Sequence, residues 1–264
     1  MKTTETIRNW ARRFLPAPVR KPLGNLYGAI RERILLPLLG LLFDLKGGRF
    51  RADGCVFIIP KDITTAAFRA CFLLRTHEVD ERKLVCKYLL PEDSVLELGA
   101  CLGTVSCVTN KRLRKQARHV VVEANPFCLP ALRRNRELNQ CDFLVENCAV
   151  SNQPTVTFYL RSDYIAGGST KLNSSLPVQV PGRSLKELAD RYGPFSTLIM
   201  DIEGSELETL EASVGSLLDF RLIIVELHEW VIGPKGIARC HAILQQAGFK
   251  MVERSHITEA WLRL

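Results

Sequence analysis

Residues 95–106 have the sequence VLELGACLGTVS, a short apolar strand that runs into a glycine and then directly into a helix. Gly99 permits a tight turn and a close approach of a ligand to the backbone. Gly103 opens the helix, whose free N–H groups attract electron-rich or anionic groups. The two glycines have G-x-x-x-G spacing, so the G-x-G-x-x-G pattern of nicotinamide enzymes is absent. The segment predicts a strand, a ligand-binding turn and a helix as one unit.

Along the chain, short apolar stretches alternate with helical patterns. Five stretches have the composition of buried strands: 94–100, 119–125, 143–150, 197–204 and 222–230. Such strands between amphipathic helices predict an α/β domain with a mostly parallel sheet covered on both faces. Two short strands around a polar loop are expected within residues 156–182, and a terminal β-hairpin within residues 250–264. Ligands of such sheets bind at the carboxyl ends of the strands.

The positive charge of the chain is concentrated at its N-terminus. Residues 1–33 carry eight Lys and Arg residues against two Glu, whereas the rest contributes only +2 to the net charge of +8. A nucleic-acid-binding protein needs a basic face on its folded domain, so we expect no nucleic-acid partner. Residues 5–15 and 26–41 place apolar side chains at helical spacing. They predict a basic helical extension, residues 1–48, before a domain of residues 49–264.

Two interpretations of this extension are open. A basic amphipathic segment can lie on an anionic membrane surface, or its helices can pack on the domain or on a second subunit. The longest apolar run, residues 34–43, is shorter than the roughly 18 residues of a membrane-spanning helix and is interrupted by Pro37 and Gly40. A signal peptide is a poor match, because this run lies far from Met1 and no small-residue cleavage site follows it.

Nine cysteines are scattered through the chain without a Cys-x-x-Cys pair. Most of them lie in apolar runs, where a reduced thiol behaves as a small hydrophobic side chain. The pattern indicates neither a disulfide framework nor a zinc site, and we identify no metal ligands. A reducing compartment, the cytoplasm, is therefore expected.

Acidic residues follow the predicted strands. Glu123 ends the second strand, 24 residues after Gly99, where a βαβ nucleotide fold places a ribose-binding acid. Asp201 ends a buried strand facing the expected ligand crevice. Glu203 and Glu206 follow it at a helix start, where the helix dipole also favours acids.

Glu226 and His228 end the last apolar strand. Because side chains alternate along a strand, these two residues are expected to point to the same face. An unperturbed histidine has a pKa of about 6.5 and suits a base at neutral pH, although a lone histidine is often structural.

Several segments together resemble one family, in the family's own order: ELGACLG, VVEANP with ALRRNRELN, NCAVS, LIMDIEGSELETL and IIVELHEW. They resemble the FkbM family of S-adenosylmethionine-dependent methyltransferases over roughly residues 75–230. The resemblance implies a class I Rossmann-like methyltransferase fold with a mostly parallel seven-stranded sheet. It also implies methyl transfer, usually to a hydroxyl of a sugar or natural product.

The resemblance assigns roles to ten residues. Glu97, Gly99, Ala100 and Cys101 would surround the methionine part of the cofactor, with the carboxylate of Glu97 reaching its ammonium. Glu123 would hold the ribose with Asn125 beside it, and Asn147 and Cys148 would meet the adenine. Asp201 and His228 are the candidate catalytic residues, Asp201 as a base or as the group that orients the acceptor.

The leading hypothesis is therefore a methyltransferase acting on a hydroxyl of a small molecule or glycan. A nicotinamide-dependent oxidoreductase is an alternative, because Gly99 and Glu123 would serve there too, but the glycine spacing and the terminal hairpin disfavour it. A non-catalytic binding subunit with the same fold is a second alternative, which the presence of Glu123 and Asp201 disfavours.

Overall fold

The structure is a computed structural model that describes residues 28–115, 117–161, 166–171 and 176–263. The predicted helix at residues 5–15 lies outside the described residues. The helices are α1 (Leu36–Leu45), α2 (Ala66–Leu73), α3 (Val79–Tyr88), α4 (Thr104–Arg112), α5 (Leu129–Leu138), α6 (Leu185–Tyr192), α7 (Glu206–Ala212) and α8 (Glu229–Gln246). The first strands are β1 (Arg49–Ala52), β2 (Cys55–Ile58), β3 (Val95–Leu98), β4 (His119–Val122), β5 (Leu144–Glu146) and β6 (Ala149–Val150). The later strands are β7 (Thr155–Leu160), β8 (Gly168–Ser169), β9 (Pro177–Arg183), β10 (Thr197–Met200), β11 (Leu222–Glu226), β12 (Phe249–Ser255) and β13 (Thr258–Arg263).

A seven-stranded sheet with the order β12-β13-β11-β10-β3-β4-β5 forms the centre of the domain. β3 pairs in parallel with both β4 and β10, and β13 runs opposite to the other six strands of this sheet. The chain first proceeds from β3 outward through β4 and β5, then returns to the other side of β3 with β10. This confirms the predicted class I methyltransferase fold, and it places the switch in strand order between β3 and β10.

The two faces of this sheet are covered by different helices because side chains alternate along each buried strand. Leu96 and Leu98 of β3 pack in the core under α6, α7 and α8. Val95 faces the opposite side and packs against Leu84 of α3 and Val105 of α4. All of these side chains are buried, so the central strands are largely apolar on both faces, as is typical of parallel strands between helices.

The predicted third strand, residues 143–150, is wrong as a single strand. Its first half is β5 in the central sheet, and its second half, β6, pairs with β9 in a separate four-stranded sheet of order β6-β9-β7-β8. The amide of Asn147 holds the bend between them, since it donates hydrogen bonds to the backbone oxygens of Glu123 (2.7 Å) and Ala124 (3.2 Å). The strand therefore stops where the chain is tied to the end of β4.

Helix α1, which belongs to the predicted N-terminal extension, packs on α2. A Cβ at Gly40 would lie 1.7 Å from the backbone oxygen of Ala66, so only glycine permits this approach. Asp44 at the end of α1 accepts two hydrogen bonds of 2.8 Å from Arg69 of α2. α1 is therefore attached to the domain. The predicted boundary between the extension and the domain at residue 48 stays a prediction. No helix in the described ranges has the length and hydrophobicity to cross a membrane.

Asp93 joins three strands at the edge of the sheet where they begin. Its carboxylate is 5% exposed and accepts hydrogen bonds from the backbone N–H of Leu90 (2.8 Å), Ser196 Oγ (2.7 Å) and Arg221 Nη2 (2.5 Å). Ser196 and Arg221 directly precede β10 and β11. Burial raises the pKa of Asp93, but the hydrogen bonds from Arg221, Leu90 and Ser196 outweigh burial and hold the pKa below its ordinary value.

We expect Asp93→Asn to lower the free energy of unfolding at pH 7 by about 2–3 kcal/mol, because a buried charged hydrogen bond is lost. Since the folded pKa is depressed, the contribution is present above the unfolded pKa of about 3.9 and is lost as pH falls through the folded pKa. Urea unfolding of both proteins at pH 7 and below about pH 3 measures this. The exposed Glu92→Gln control should change stability by less than about 1 kcal/mol; a penalty for Asp93→Asn that does not shrink in acid would contradict the assignment.

Candidate active site

The carboxyl ends of β3, β4, β10 and β11 surround a cavity of about 510 Å³. This volume lies within the range of small-molecule and cofactor sites. Gly99, Glu123, Asp201 and Glu226, each at the end of one of these strands, lie in its wall, and Phe158 of the second sheet closes it on another side. The cavity therefore lies at the switch in strand order, where ligands of open α/β sheets bind.

The turn after β3 requires glycine at residue 99. Its φ is +87°, and a Cβ there would lie 1.7 Å from the backbone oxygen of Asp201. Glu123 fixes the turn from the side, because its Oε2 accepts hydrogen bonds from the backbone N–H groups of Ala100 (3.0 Å) and Cys101 (2.6 Å). The predicted ligand-binding turn is thus held rigidly between β4 and β10.

Glu123 also accepts a 2.6 Å hydrogen bond from the backbone N–H of Asn125 at Oε1. Burial raises the pKa of Glu123 even though these three hydrogen bonds oppose the shift. A carboxylate has about four acceptor positions, so about one remains for a ligand hydroxyl. Cys101, Asn125 and Cys148 lie with Glu123 in the cavity wall, close to the arrangement that the sequence predicts.

Three predicted cofactor residues lie elsewhere. Glu97 is buried on the face of β3 toward α4, where it accepts a hydrogen bond from Ser106 and lies 3.1 Å from His119 Nε2. The alternation of side chains explains this, because Glu97 shares the face of Val95 rather than the cavity edge. Ala100 contributes its backbone N–H to Glu123, and Asn147 holds the bend after β5. None of the three is among the described residues that line the cavity.

His228 gathers four carboxylates at the end of β11. Its side chain is 2% exposed, and its Nε2 lies 3.6 Å from Asp201 Oδ1, 3.5 Å from Glu203 Oε2 and 3.6 Å from Glu226 Oε1. We refer to His228, Asp201, Glu203 and Glu226 as the carboxylate–histidine cluster. The other ring nitrogen, Nδ1, lies 2.8 Å from Glu206 Oε1. Because a carboxylate only accepts, the Nδ1 position carries the proton.

The ionisation of the cluster reflects its burial. Burial raises the pKa of Asp201, and the carboxylates of Glu226 and Glu203 raise it further. Burial also raises the pKa of Glu226, although His228 opposes the shift. Burial lowers the pKa of His228, but the hydrogen bond to Glu206 and the surrounding acids outweigh it, so the net shift is upward. Ionised carboxylates in the cluster therefore repel one another, and His228 is the basic group among them.

Glu81 is a site residue that the sequence reasoning missed. It lies on α3, is only 4% exposed and lines the cavity. Burial and the charges of Asp201 and Glu78 raise its pKa well above the ordinary value. The signal was available, because Leu84 and Val85 lie three and four residues further on, on the buried face of the same helix.

A second, smaller groove of about 220 Å³ adjoins the cavity and shares Gly168 and Glu203 with it. Trp230, 68% exposed, and the basic residues Arg161 and Lys171 line this groove. The Trp230 ring contacts the ring of His228 edge-on, with the centroids 4.9 Å apart. The groove therefore offers a flat aromatic face and positive charge directly beside the carboxylate–histidine cluster.

Comparison with known proteins gives consistent matches. Residues 97–251 match the family model of the methyltransferase FkbM domain. The hexuronic acid methyltransferase AglP of Haloferax volcanii is 24% identical over 165 residues, which span 61% of this chain and 66% of that protein. A putative O-methyltransferase from Klebsiella pneumoniae aligns with a TM-score of 0.46 and 13% identity over 70% of this chain and 81% of that chain. Precorrin-6y C5,15-methyltransferase from Geobacter metallireducens aligns at 0.44 and 12%, over 78% and 91%.

The family match covers more than half of the chain and includes the Gly99 turn, Glu123 and the whole carboxylate–histidine cluster. It favours a methyltransferase over a nicotinamide-dependent oxidoreductase and confirms the family that the sequence motifs predict. The protein belongs to the methyltransferase FkbM family, whose methyl donor is S-adenosylmethionine.

Proposed function

We propose that the protein transfers a methyl group from S-adenosylmethionine to a hydroxyl of a sugar. The position of Asp201 carries this proposal. Its Oδ1 is buried, has no hydrogen-bond partner among the described residues, and lies in the same cavity wall as the Gly99 turn. A hydrogen-bond acceptor that is already desolvated and faces the cofactor cavity is suited to accept a hydrogen bond from a substrate hydroxyl.

The chain's own residues would perform three tasks. The Gly99 turn and Glu123 would bind the cofactor, which supplies the methyl group on its sulfonium. Asp201 would accept a hydrogen bond from the acceptor hydroxyl, orient it toward the methyl carbon and take its proton as the new bond forms. His228, fixed by Glu206, would lie beside Asp201, with its Nε2 3.6 Å from Asp201 Oδ1. Alignment and proton removal matter because an alcohol is a poor nucleophile at neutral pH.

The acceptor class we infer is an acidic sugar such as a hexuronic acid. The groove beside the cluster supports it, since two basic residues line it, Arg161 and Lys171, the latter paired with Glu208 at 2.5 Å. Trp230 adds a flat apolar face with a polar edge. The relative from Haloferax volcanii is by name a hexuronic acid methyltransferase. The match spans just under two thirds of that relative's length, and the substrate of this chain is our proposal.

We also propose that the N-terminal extension lies on an anionic membrane surface in a reducing compartment, the cytoplasm. On the side opposite its contact with α2, α1 exposes Leu38, Leu41 and Leu45, and Ile34 just before α1 is exposed too; each of these residues is at least half exposed. The preceding chain carries most of the positive charge. Apolar side chains beside basic residues are the two features that anchor a helix at a charged bilayer surface. All nine cysteines are free thiols, which supports the reducing compartment.

The cofactor assignment predicts that Glu123→Gln weakens binding of S-adenosylhomocysteine about tenfold or more, because one carboxylate bond to the ligand and two to the turn are disturbed. Isothermal titration calorimetry measures this, with the exposed Asp142→Asn as control. Equal affinities for all three proteins, or binding of NAD in place of the nucleoside ligand, would refute the assignment.

The catalytic assignment predicts that Asp201→Asn keeps S-adenosylhomocysteine affinity within about threefold but lowers turnover by about a hundredfold or more, the range for losing a positioned base. Turnover is measured as radiolabelled methyl transfer to a panel of hexuronic acid glycosides, with the exposed Asp190→Asn as control. The neutral hexosides of the same panel should be methylated more slowly. Near-normal turnover of Asp201→Asn at saturating acceptor would remove Asp201 from the mechanism.

The surface assignment predicts that the full chain sediments with phosphatidylserine-containing vesicles and is released by salt, which screens the basic residues. Leu38→Glu combined with Leu41→Glu should abolish sedimentation without changing cofactor affinity. Vesicles of phosphatidylcholine alone serve as the control. If the double variant sediments as well as the original chain, α1 does not contact the bilayer.

A further inference from the structure

The carboxylate–histidine cluster has the geometry of a metal site. One oxygen each of Asp201 and Glu203 and the Nε2 of His228 lie within 4.8 Å of one another. Around an octahedral divalent cation with bonds of about 2.1 Å, neighbouring ligand atoms lie about 3 Å apart and opposite ones about 4 Å. The observed separations of 3.5 and 3.6 Å from Nε2 are too long for good hydrogen bonds. They need only a small contraction to become ligand separations.

His228 is oriented as metal-binding histidines are. Its Nδ1 donates to Glu206, whose side chain is fully buried and is itself held by the backbone N–H of Gly204 at 2.9 Å. A histidine that ligates a metal almost always donates its other ring N–H to a carboxylate or carbonyl group, which fixes the tautomer and the ring direction. The 98%-buried imidazole thus aims an Nε2 without a close hydrogen-bond partner into three carboxylates.

The carboxylates around the cavity also favour a bound cation. Glu81, 4% exposed, lines the same cavity and has neither a hydrogen bond nor an ion pair with another described residue. Asp201 Oδ1 is buried without a partner. No Lys or Arg lies in the cavity wall as far as the structure describes it. Buried carboxylates are normally paired or coordinate a metal. Among the described residues the basic side chains here are His77, which pairs with Glu78 at 3.1 Å, and His228 itself, so Glu81 has no basic partner of its own.

We propose, resting on the proposed function, that Asp201, Glu203 and His228 bind one divalent cation, with Glu226 beside it, and that this cation holds the acceptor hydroxyl. Two carboxylates and one imidazole suit Mn²⁺ or a similar first-row ion and leave positions open for substrate oxygens. The bound hydroxyl gives its proton to Asp201, as in the proposed function, through the carboxylate oxygen that does not bind the cation. The new oxygen–carbon bond forms as the carbon–sulfur bond of the sulfonium breaks, and that electron pair stays on sulfur.

The test is titration of the chelator-treated full chain with Mn²⁺, followed by calorimetry and by the electron paramagnetic resonance of free Mn²⁺. We expect one site per chain. Glu203→Gln, at a half-exposed position that folding tolerates, should weaken Mn²⁺ binding about tenfold or more, and His228→Gln should do the same. Glu211→Gln, an exposed acid on α7 away from the cavity, should leave the affinity unchanged.

The outcome separates this inference from the proposed function. S-adenosylhomocysteine binding is measured on the same chelator-treated protein. If that ligand binds but Mn²⁺ does not, or if neither cluster variant changes Mn²⁺ affinity, the metal site is refuted and the methyltransferase proposal stands. If the nucleoside ligand fails to bind, the proposed function fails instead. Turnover that chelation abolishes and Mn²⁺ restores would support the role of the cation.

Discussion

The contact on which the site depends is the passage of Gly99 across the backbone of Asp201. No side chain fits between them, because a Cβ at Gly99 would lie 1.7 Å from the Asp201 oxygen. The parallel pairing of β3 with β10 brings the two strand ends together, and the missing side chain lets the turn bend over the neighbouring strand. The cofactor turn and the candidate catalytic acid therefore share one wall of one cavity.

The acids at the two opposite edges of the sheet differ in their hydrogen-bond partners. Asp93 gathers the starts of β3, β10 and β11 through a buried carboxylate that has all its partners. At the opposite edge, the Oδ1 of Asp201 is buried without a hydrogen-bond partner among the described residues, and Glu81 is 4% exposed in the cavity wall. A satisfied buried acid stabilises the fold, whereas an unsatisfied one costs stability until a ligand supplies the missing charge or donor. The stability that the partnered Asp93 contributes at one edge offsets the cost of the unpartnered acids at the other.

Much of the fold could be predicted from the sequence because apolar strands, glycine turns and the terminal hairpin are local patterns. The failures are non-local. The break after Glu146 depends on Asn147 reaching the backbone of Glu123 and Ala124 on another strand. The direction of Glu97 depends on which face of a doubly buried strand it shares, and alternation alone does not tell the two faces apart. The pairing of His228 with Glu206 likewise joins residues 22 positions apart.

The bend at Asn147 directs the chain from the central sheet into the second sheet, and both sheets contribute residues to the cavity. The central sheet supplies the turn, Glu123 and Asp201, whereas the second sheet contributes Phe158 and Gly168 to the same cavity. Between β7 and β9, the described residues 166–171 include β8 of that second sheet and interrupt none of the central strands. Insertions or substitutions there can reshape the chamber for a new acceptor while the methyl-donor machinery keeps its geometry. Substrate preference can therefore change while the residues of the reaction centre keep their positions.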